Sequence, residues 1–145
     1  MSKMLSISEI FTIIENAKTN KEKSELILKH NCLALRDILK GSLDDSIEWS
    51  IPTGSPPYKK DSLAPDLTIS NLHRQSSKLR YFVKGGPGDK MNIAKRELMF
   101  INILESIHTP DAEILIAMKD KQLNKLFPSL TKKLVKSVFP KLIVK

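Results

Sequence analysis

The sequence predicts an all-α protein, a compact single-domain bundle of about six helices with an irregular proline-rich loop. Apolar residues recur at helical spacing in the first and last thirds of the chain. Residues that start and stop helices stand at the ends of these patterns. The length of 145 residues fits one domain, and 41% hydrophobic residues suffice for a core without metal or disulfides. We therefore expect a single helical domain over residues 1–145.

The first 48 residues are expected to form an N-terminal helical unit. Apolar side chains at helical spacing predict three helices here, over residues 7–17, 21–29 and 32–40. Ser6 or Ser8 can cap the first helix, and Asn20 can cap the second. Gly41 is expected to end the third helix, because glycine commonly terminates helices.

Residues 49–88 are expected to be rich in loops. Four prolines and a glycine between residues 49 and 66 argue against a regular helix. Three residues indicate that this loop is anchored to the core rather than disordered: Trp49, Ile51 and Tyr58. The following stretch, residues 67–82, has both strand-like and short-helix character, so its fold stays open.

Residues 89–145 are expected to form a C-terminal helical unit. The apolar pattern predicts helices over residues 90–107 and 110–121, and a last helix that follows Thr131. Asp89, Thr109 and Thr131 are the expected caps, and Pro140 ends the last helix. The longest helix is the expected centre of the core. Its predicted apolar face consists of Ala94, Leu98 and Ile101, widened by Phe100, Ile103, Leu104 and Ile107.

The net charge of +8 is spread unevenly along the chain. Residues 1–48 are nearly neutral, whereas residues 119–145 hold eight lysines and one aspartate. A basic excess confined to one part of a chain indicates a positive surface. Nucleic acid is the commonest reason for such a surface, and an anionic protein partner or an anionic membrane is the next.

A glycine-rich loop over residues 84–90 is the sharpest local feature. Glycines before a helix allow backbone N–H groups to approach a phosphate, although an ordinary tight turn has the same composition. Neither a nucleotide-binding P-loop nor a GxGxxG motif is present. With the C-terminal lysines, this loop gives the candidate phosphate contacts: Lys84, Gly85, Gly86, Lys90, Lys119, Lys121, Lys132, Lys133 and Lys136.

Motifs for catalysis or metal binding are missing from the sequence. The single cysteine, Cys32, excludes an internal disulfide, and the three histidines lie far apart. No acyl-transfer motif or convincing carboxylate cluster is found. We therefore expect no enzyme activity, no cofactor and no metal. The absence of a signal peptide and of a long apolar stretch predicts a cytoplasmic protein that does not bind a membrane.

The two flanks of the chain resemble phage-type ATP-dependent DNA ligases. Residues 13–47, IIENAKTNKEKSELILKHNCLALRDILKGSLDDSI, resemble the opening of these enzymes. Residues 110–143, with PDAEILIAMKDKQL and LTKKLVKSVFPKLI, are similar to the end of the same ligase domain. The chain also looks like a small uncharacterised protein family of marine tailed phages, which shares the KGG loop and the FP-x-L ending.

The resemblance implies the N-terminal helical domain with which those ligases hold duplex DNA around a nick. The ligase adenylation motif, Lys-x-Asp-Gly, is absent, so ligation is excluded. The leading hypothesis is a non-catalytic, sequence-nonspecific DNA-binding protein in phage DNA replication, repair or recombination, located in the infected host cytoplasm. It would contact the phosphate backbone, and a phage or host replication protein would be a further partner.

Two other hypotheses stay open at this point. The chain can be a protein-interaction factor that binds a replication, transcription or virion component through the loop with Trp49 and Tyr58. It can also be a small enzyme such as a nuclease, which the missing carboxylate and histidine clusters argue against.

Overall fold

Helices make up the regular structure of the chain, as the sequence predicts. The structure is a computed structural model that describes residues 5–60, 68 and 70–144. These residues form no strand and contain eight α-helices: α1 (Ile7–Glu15), α2 (Asn20–Lys29), α3 (Leu33–Leu43), α4 (Leu72–Gln75), α5 (Ile93–Ser106), α6 (Thr109–Lys119), α7 (Leu123–Leu126) and α8 (Lys132–Val138). Two 3-10 helices span Ser76–Phe82 and Pro87–Lys90. The all-α class is confirmed, and the six expected helices correspond to α1, α2, α3, α5, α6 and α8.

Side-chain caps fix the starts of several helices, among them α1, α2 and α8. The Ser6 hydroxyl accepts a hydrogen bond from the Glu9 N–H, and the Glu9 carboxylate accepts one from the Ser6 N–H, which makes a reciprocal capping box. Thr19, rather than the expected Asn20, caps α2. Thr131 caps α8 as predicted.

Two other expected caps are wrong by one to three residues. Asn92 caps α5, whereas Asp89 belongs to the preceding 3-10 helix and accepts a hydrogen bond from the Gly85 N–H at 2.7 Å. Thr109 is the first residue of α6, and His108 occupies the capping position. The 3-10 helix Pro87–Lys90 precedes α5 and moves its start toward the C-terminus. Residue type alone does not reveal this short helix and therefore assigns the cap to the wrong residue.

Gly41 does not end α3, contrary to the sequence prediction. The helix continues to Leu43, and Gly41 is buried within it. A Cβ at this position would lie 2.5 Å from Cζ2 of Trp49. The indole Nε1–H donates to the Gly41 carbonyl at 2.8 Å. Glycine is therefore used here for the close approach of Trp49 to the helix and not for termination.

One continuous hydrophobic core draws buried side chains from all eight α-helices. Helix α6 packs against α1, α3, α5 and α7, and α3 also contacts α4 and the Ser76–Phe82 helix. Helix α8 packs on α2, while α5 packs on α6 and on the Ser76–Phe82 helix. Two edge-to-face ring pairs fill the interior, Phe82 with Phe100 and Phe11 with Phe127. The core therefore joins the N-terminal and C-terminal helical units.

The buried face of α5 agrees only in part with the predicted one. The helix buries Phe100, Ile103 and Leu104. These three residues and Ile107 are buried as predicted, whereas the rest of the expected face is wrong: Leu98 is 57% exposed, Ala94 is exposed and Ile101 is only half-buried. Apolar residues surround most of this helix, so its periodicity does not select one face. The prediction that α5 is the central helix is also wrong, since α5 buries three of its residues whereas α6 buries six.

The proline-rich loop is irregular and anchored, as predicted. Ile51 is buried, and Trp49 and Tyr58 pack partly buried against the core. The loop prediction also covers residues 61–66, which lie outside the described residues together with 67 and 69. The sequence left the fold of residues 67–82 open, and this stretch is helical from Leu72 onward. The next residue, Val83, forms an isolated antiparallel bridge with Trp49. No helix in the described ranges is long and apolar enough to cross a membrane.

Candidate nucleic-acid interface

Five of the predicted phosphate contacts have accessible side chains. Lys84 and Lys90 are exposed at the two ends of the glycine-rich loop, and Lys133 and Lys136 are exposed on α8. The Lys132 side chain is 35% exposed, and its ammonium pairs with the Asp45 carboxylate at 3.0 Å. Leu134 and Val135 are the buried residues of α8 and define its core-facing side. The lysines lie on the other side of the helix, toward solvent.

Lys119 is a structural residue, which corrects its assignment as a phosphate contact. Its residue is 6% exposed, and its ammonium donates to the carbonyls of Pro52 and Gly54 at 2.9 and 2.7 Å. Asp120 completes the set as an ion-pair partner at 2.7 Å. These bonds hold the proline-rich loop against α6. A signal was present in the sequence, because Lys119 follows Leu115 by four residues and therefore shares its buried face.

Lys121 is also committed to the fold, and its assignment is corrected in the same way. Its backbone is left-handed, with φ of 59°. Its ammonium donates to the carbonyls of Gly41 and Asp44 at 2.7 and 2.8 Å. Burial lowers the pKa of Lys121, and the carboxylates of Asp45 and Asp44 counteract that effect. The side chain thus binds the last turn of α3, where a cation is favoured by the helix dipole.

The glycine-rich loop uses its own backbone donors. The Gly85 N–H donates to Asp89, and the Gly86 N–H donates to the Val83 carbonyl at 3.1 Å. Gly85 has a φ of 85°, which favours glycine. Both N–H groups are therefore occupied within the loop, and the expectation that they bind phosphate is not supported. The loop's contribution to a positive surface consists of its two lysines.

The glycine-rich loop and α8 meet at residues 45–48, which follow α3. The Lys84 N–H donates to the Glu48 carbonyl at 2.8 Å, and the Lys132 ammonium lies 3.0 Å from the Asp45 carboxylate. Three Cα–Cα steps of 3.8 Å separate residues 45 and 48 by at most about 11 Å. Lysines that lie 48 residues apart in sequence are thus placed along one short segment.

Asp44 holds this segment, a role that the sequence analysis missed. Its carboxylate is fully buried and accepts from the Lys40 ammonium, the Ser46 N–H and hydroxyl, and the Val144 N–H. Burial opposes the charged form, but these donors outweigh it and hold the pKa of Asp44 well below its usual range. Lys40 also donates to the Leu142 carbonyl, so the C-terminal end of the chain is fixed against α3.

The structure brings Cys32 and His73 together, which their separation in sequence did not suggest. Cys32 Sγ lies 3.8 Å from Nδ1 of His73, and Nε2 of His73 bonds to the Leu5 carbonyl at 2.9 Å. Burial disfavours the thiolate, but His73 and the N–H groups of Leu35 and Ala34 lower the pKa of Cys32 overall. Within the described ranges, no three histidine, cysteine or carboxylate residues are grouped so that they could hold a metal ion.

Comparison with known protein families gives one match. A model described as a family of unknown function, DUF6433, matches residues 10–125, which is well over half of the chain. The chain belongs to the DUF6433 family. No curated protein matches it. The DUF6433 match includes the glycine-rich loop and the segment at 45–48, whereas α8 and its lysines lie beyond it.

Proposed function

We propose that the protein binds DNA through the phosphate backbone, without reading sequence and without catalysing a reaction. The proposed surface consists of four exposed lysines and the partly exposed Lys132: Lys84, Lys90, Lys132, Lys133 and Lys136. One observation carries the proposal, namely that Lys84 and Lys132 flank the same short segment at residues 45–48. The ligase-like flanks of the sequence support a role in phage DNA replication, repair or recombination.

The chemistry of this surface suits phosphates rather than bases. Lysine carries a compact charge on a flexible side chain and neutralises phosphates without the planar, paired geometry that arginine uses on guanine. Contacts of this kind position a protein on DNA but carry no sequence information. Asp45 and Glu48 are exposed on the same segment, so the surface is of mixed sign at its centre.

Charge reversal on α8 tests the proposal. The K132E/K133E variant should bind a fluorescent duplex at least about tenfold more weakly than the wild type at low salt, because two phosphate contacts are lost. The K59E/K60E variant is the matched control, since Lys59 and Lys60 are exposed and lie on the proline-rich loop. An equal loss in both variants would show that net charge alone matters and would refute this placement of the surface.

Removal of a negative charge gives a complementary test. Asp45 lies beside Lys132 and would repel a nearby phosphate. The D45N variant should therefore bind the duplex about twofold to threefold more tightly, as expected for one like-charge contact removed at an exposed site. Unchanged or weaker binding would place the phosphates elsewhere.

A protein-interaction factor is the second candidate function. Ile93 and Leu98 on α5 are 64% and 57% exposed, which favours a protein contact at this helix. The loop residues Trp49 and Tyr58 are partly buried against the core and suit this role less well. Absence of duplex binding at low salt, together with partner capture that is lost in an L98E variant, would favour this alternative.

A further inference from the structure

A cavity of about 330 Å³ lies between α3 and the Ser76–Phe82 helix. Trp49 and Leu79 supply apolar walls, while Asp37 supplies a negative charge and Lys40 and Arg80 supply positive charges. This volume falls at the lower end of the range of about 300–1,000 Å³ for small-molecule sites. The cavity is therefore large enough for a small ligand and carries polar groups that can orient it.

The fold accounts for each wall of the cavity. Asp37 and Gly41 stand four residues apart on α3 and so share one face of the helix. Leu79 and Arg80 belong to the 3-10 helix opposite, and the bridge between Trp49 and Val83 closes one end. Because Gly41 has no Cβ, the Trp49 ring can lie against α3 as part of the wall.

Asp37 is the group that points to a ligand. Its side chain is half-buried at the cavity, and within the described residues it forms no hydrogen bond or ion pair. Burial raises its pKa, and the neighbouring Arg36 only partly counteracts that effect. Because no donor among the described residues occupies the carboxylate, both of its oxygens are available to N–H groups of a molecule in the cavity.

Arg80 supplies a cation at the exposed rim. Its guanidinium lies 5.2 Å from the ring centre of Tyr81, and Nη2 is 3.4 Å from the Tyr81 hydroxyl. The guanidinium is therefore oriented by a stack and is accessible to an anion. A matching ligand has a planar ring for the Trp49 wall, N–H donors for Asp37 and a negative group for Arg80.

We infer that this cavity binds a guanine nucleotide, with the base beside Trp49, its donor edge on Asp37 and its phosphate on Arg80. Guanine presents N1–H and N2–H side by side, so both can donate to the two oxygens of one carboxylate. Adenine and cytosine place a ring acceptor beside their amino group and would repel one of those oxygens. A free nucleotide and an unpaired guanine in a strand share this chemistry. The inference does not depend on the lysine surface proposed above.

The intrinsic fluorescence of the protein provides a direct readout, because Trp49 is the only tryptophan in the sequence. Guanosine monophosphate should change the emission of the full-length wild type saturably at submillimolar concentration. Adenosine monophosphate should bind at least about tenfold more weakly, as a lost bidentate contact predicts. Inosine monophosphate, which lacks the 2-amino group, should fall between them.

Variants assign the contacts. D37N should weaken guanosine monophosphate binding about tenfold, and D45N, which removes an exposed carboxylate outside the cavity, should leave it unchanged. R80A should weaken the monophosphate but not guanosine. Circular dichroism verifies folding, and D37N should not destabilise the protein because the Asp37 carboxylate forms no hydrogen bond or ion pair within the described residues.

A short thymine oligonucleotide with one guanine separates the two sources of the base. Saturable binding of the free nucleotide identifies a nucleotide site. A response only to the guanine-containing oligonucleotide, lost in D37N, identifies an unpaired base within a strand. No saturable response to either probe, or equal binding by D37N and the wild type, would overturn the inference. K132E/K133E should not affect nucleotide binding, so this test is independent of duplex binding.

Discussion

Replacing Asp44 with asparagine tests how the C-terminal end of the chain is held against α3. Oδ1 of Asp44 accepts from the N–H and hydroxyl of Ser46, and Oδ2 accepts from the Lys40 ammonium and the Val144 N–H. The D44N side chain retains a carbonyl oxygen for Ser46. Its NH₂ group would replace Oδ2 and face two donors. The variant therefore loses the bonds to Lys40 and Val144 without creating a large cavity.

The expected cost follows from those two bonds. A hydrogen bond to a charged group contributes about 1.5–3 kcal/mol, so the two together would contribute about 3–6 kcal/mol. The Lys40 side chain is 32% exposed and Val144 is 74% exposed, so both donors can turn to water. We therefore expect the lower end, a loss of about 3 kcal/mol in the free energy of unfolding.

Urea unfolding followed by circular dichroism at neutral pH measures this loss. D45N is the matched control, because the Asp45 side chain is 69% exposed and should change stability by less than about 0.5 kcal/mol. Equal stability of D44N and D45N would show that the buried carboxylate of Asp44 does not hold residues 142–144 against α3.

The same residue predicts a dependence of stability on pH. Because the pKa of Asp44 is held well below its usual range in the folded state, the unfolded chain takes up this proton first as the pH falls. The stabilisation is present above the ordinary aspartate pKa of about 4 and is lost as the pH falls below it. D44N should lack this part of the acid destabilisation.

Three further predictions concern the core, the loop anchor and the thiol. K119M should lose roughly 3 kcal/mol and expose the proline-rich loop to proteolysis, measured by urea unfolding and limited digestion, because Asp120 would keep an unpaired, largely buried charge. G41A should lose about 1 kcal/mol and shift tryptophan emission, since a clash costing about 1–3 kcal/mol exceeds a gain of about 1 kcal/mol in helix propensity. H73Q should raise the pKa of Cys32 and slow its alkylation at neutral pH, followed by mass spectrometry across a pH series. A stable K119M or G41A variant, or unchanged alkylation in H73Q, would contradict the contact concerned.

The sequence predicted those parts of the fold that local patterns determine. Apolar periodicity located α1, α2 and α6, and Ser6 and Thr131 are the caps expected from residue type. The end of α3 was missed because Gly41 is required by Trp49, a tertiary contact that no local pattern records. The one-turn helices α4 and α7 are too short to give a periodic signal.

For the candidate site, the sequence predicts only that positive charge is in excess in the C-terminal part of the chain. Composition indicates how many lysines the C-terminal part holds, but burial decides which of them are accessible. The ammonium groups of Lys119 and Lys121 donate hydrogen bonds to backbone carbonyls, whereas Lys133 and Lys136 are exposed. The cavity beside Asp37 depends on the packing of α3 against the Ser76–Phe82 helix, and therefore left no motif in the sequence.

The salt dependence of duplex binding tests the central proposal most directly. If the five lysines of the proposed surface each neutralise one phosphate, a plot of log K against log salt concentration should have a slope of roughly −4 to −5. The slope should be shallower by about 2 in K132E/K133E and unchanged in K59E/K60E. No binding at low salt, or a slope near zero, would contradict DNA binding through these lysines.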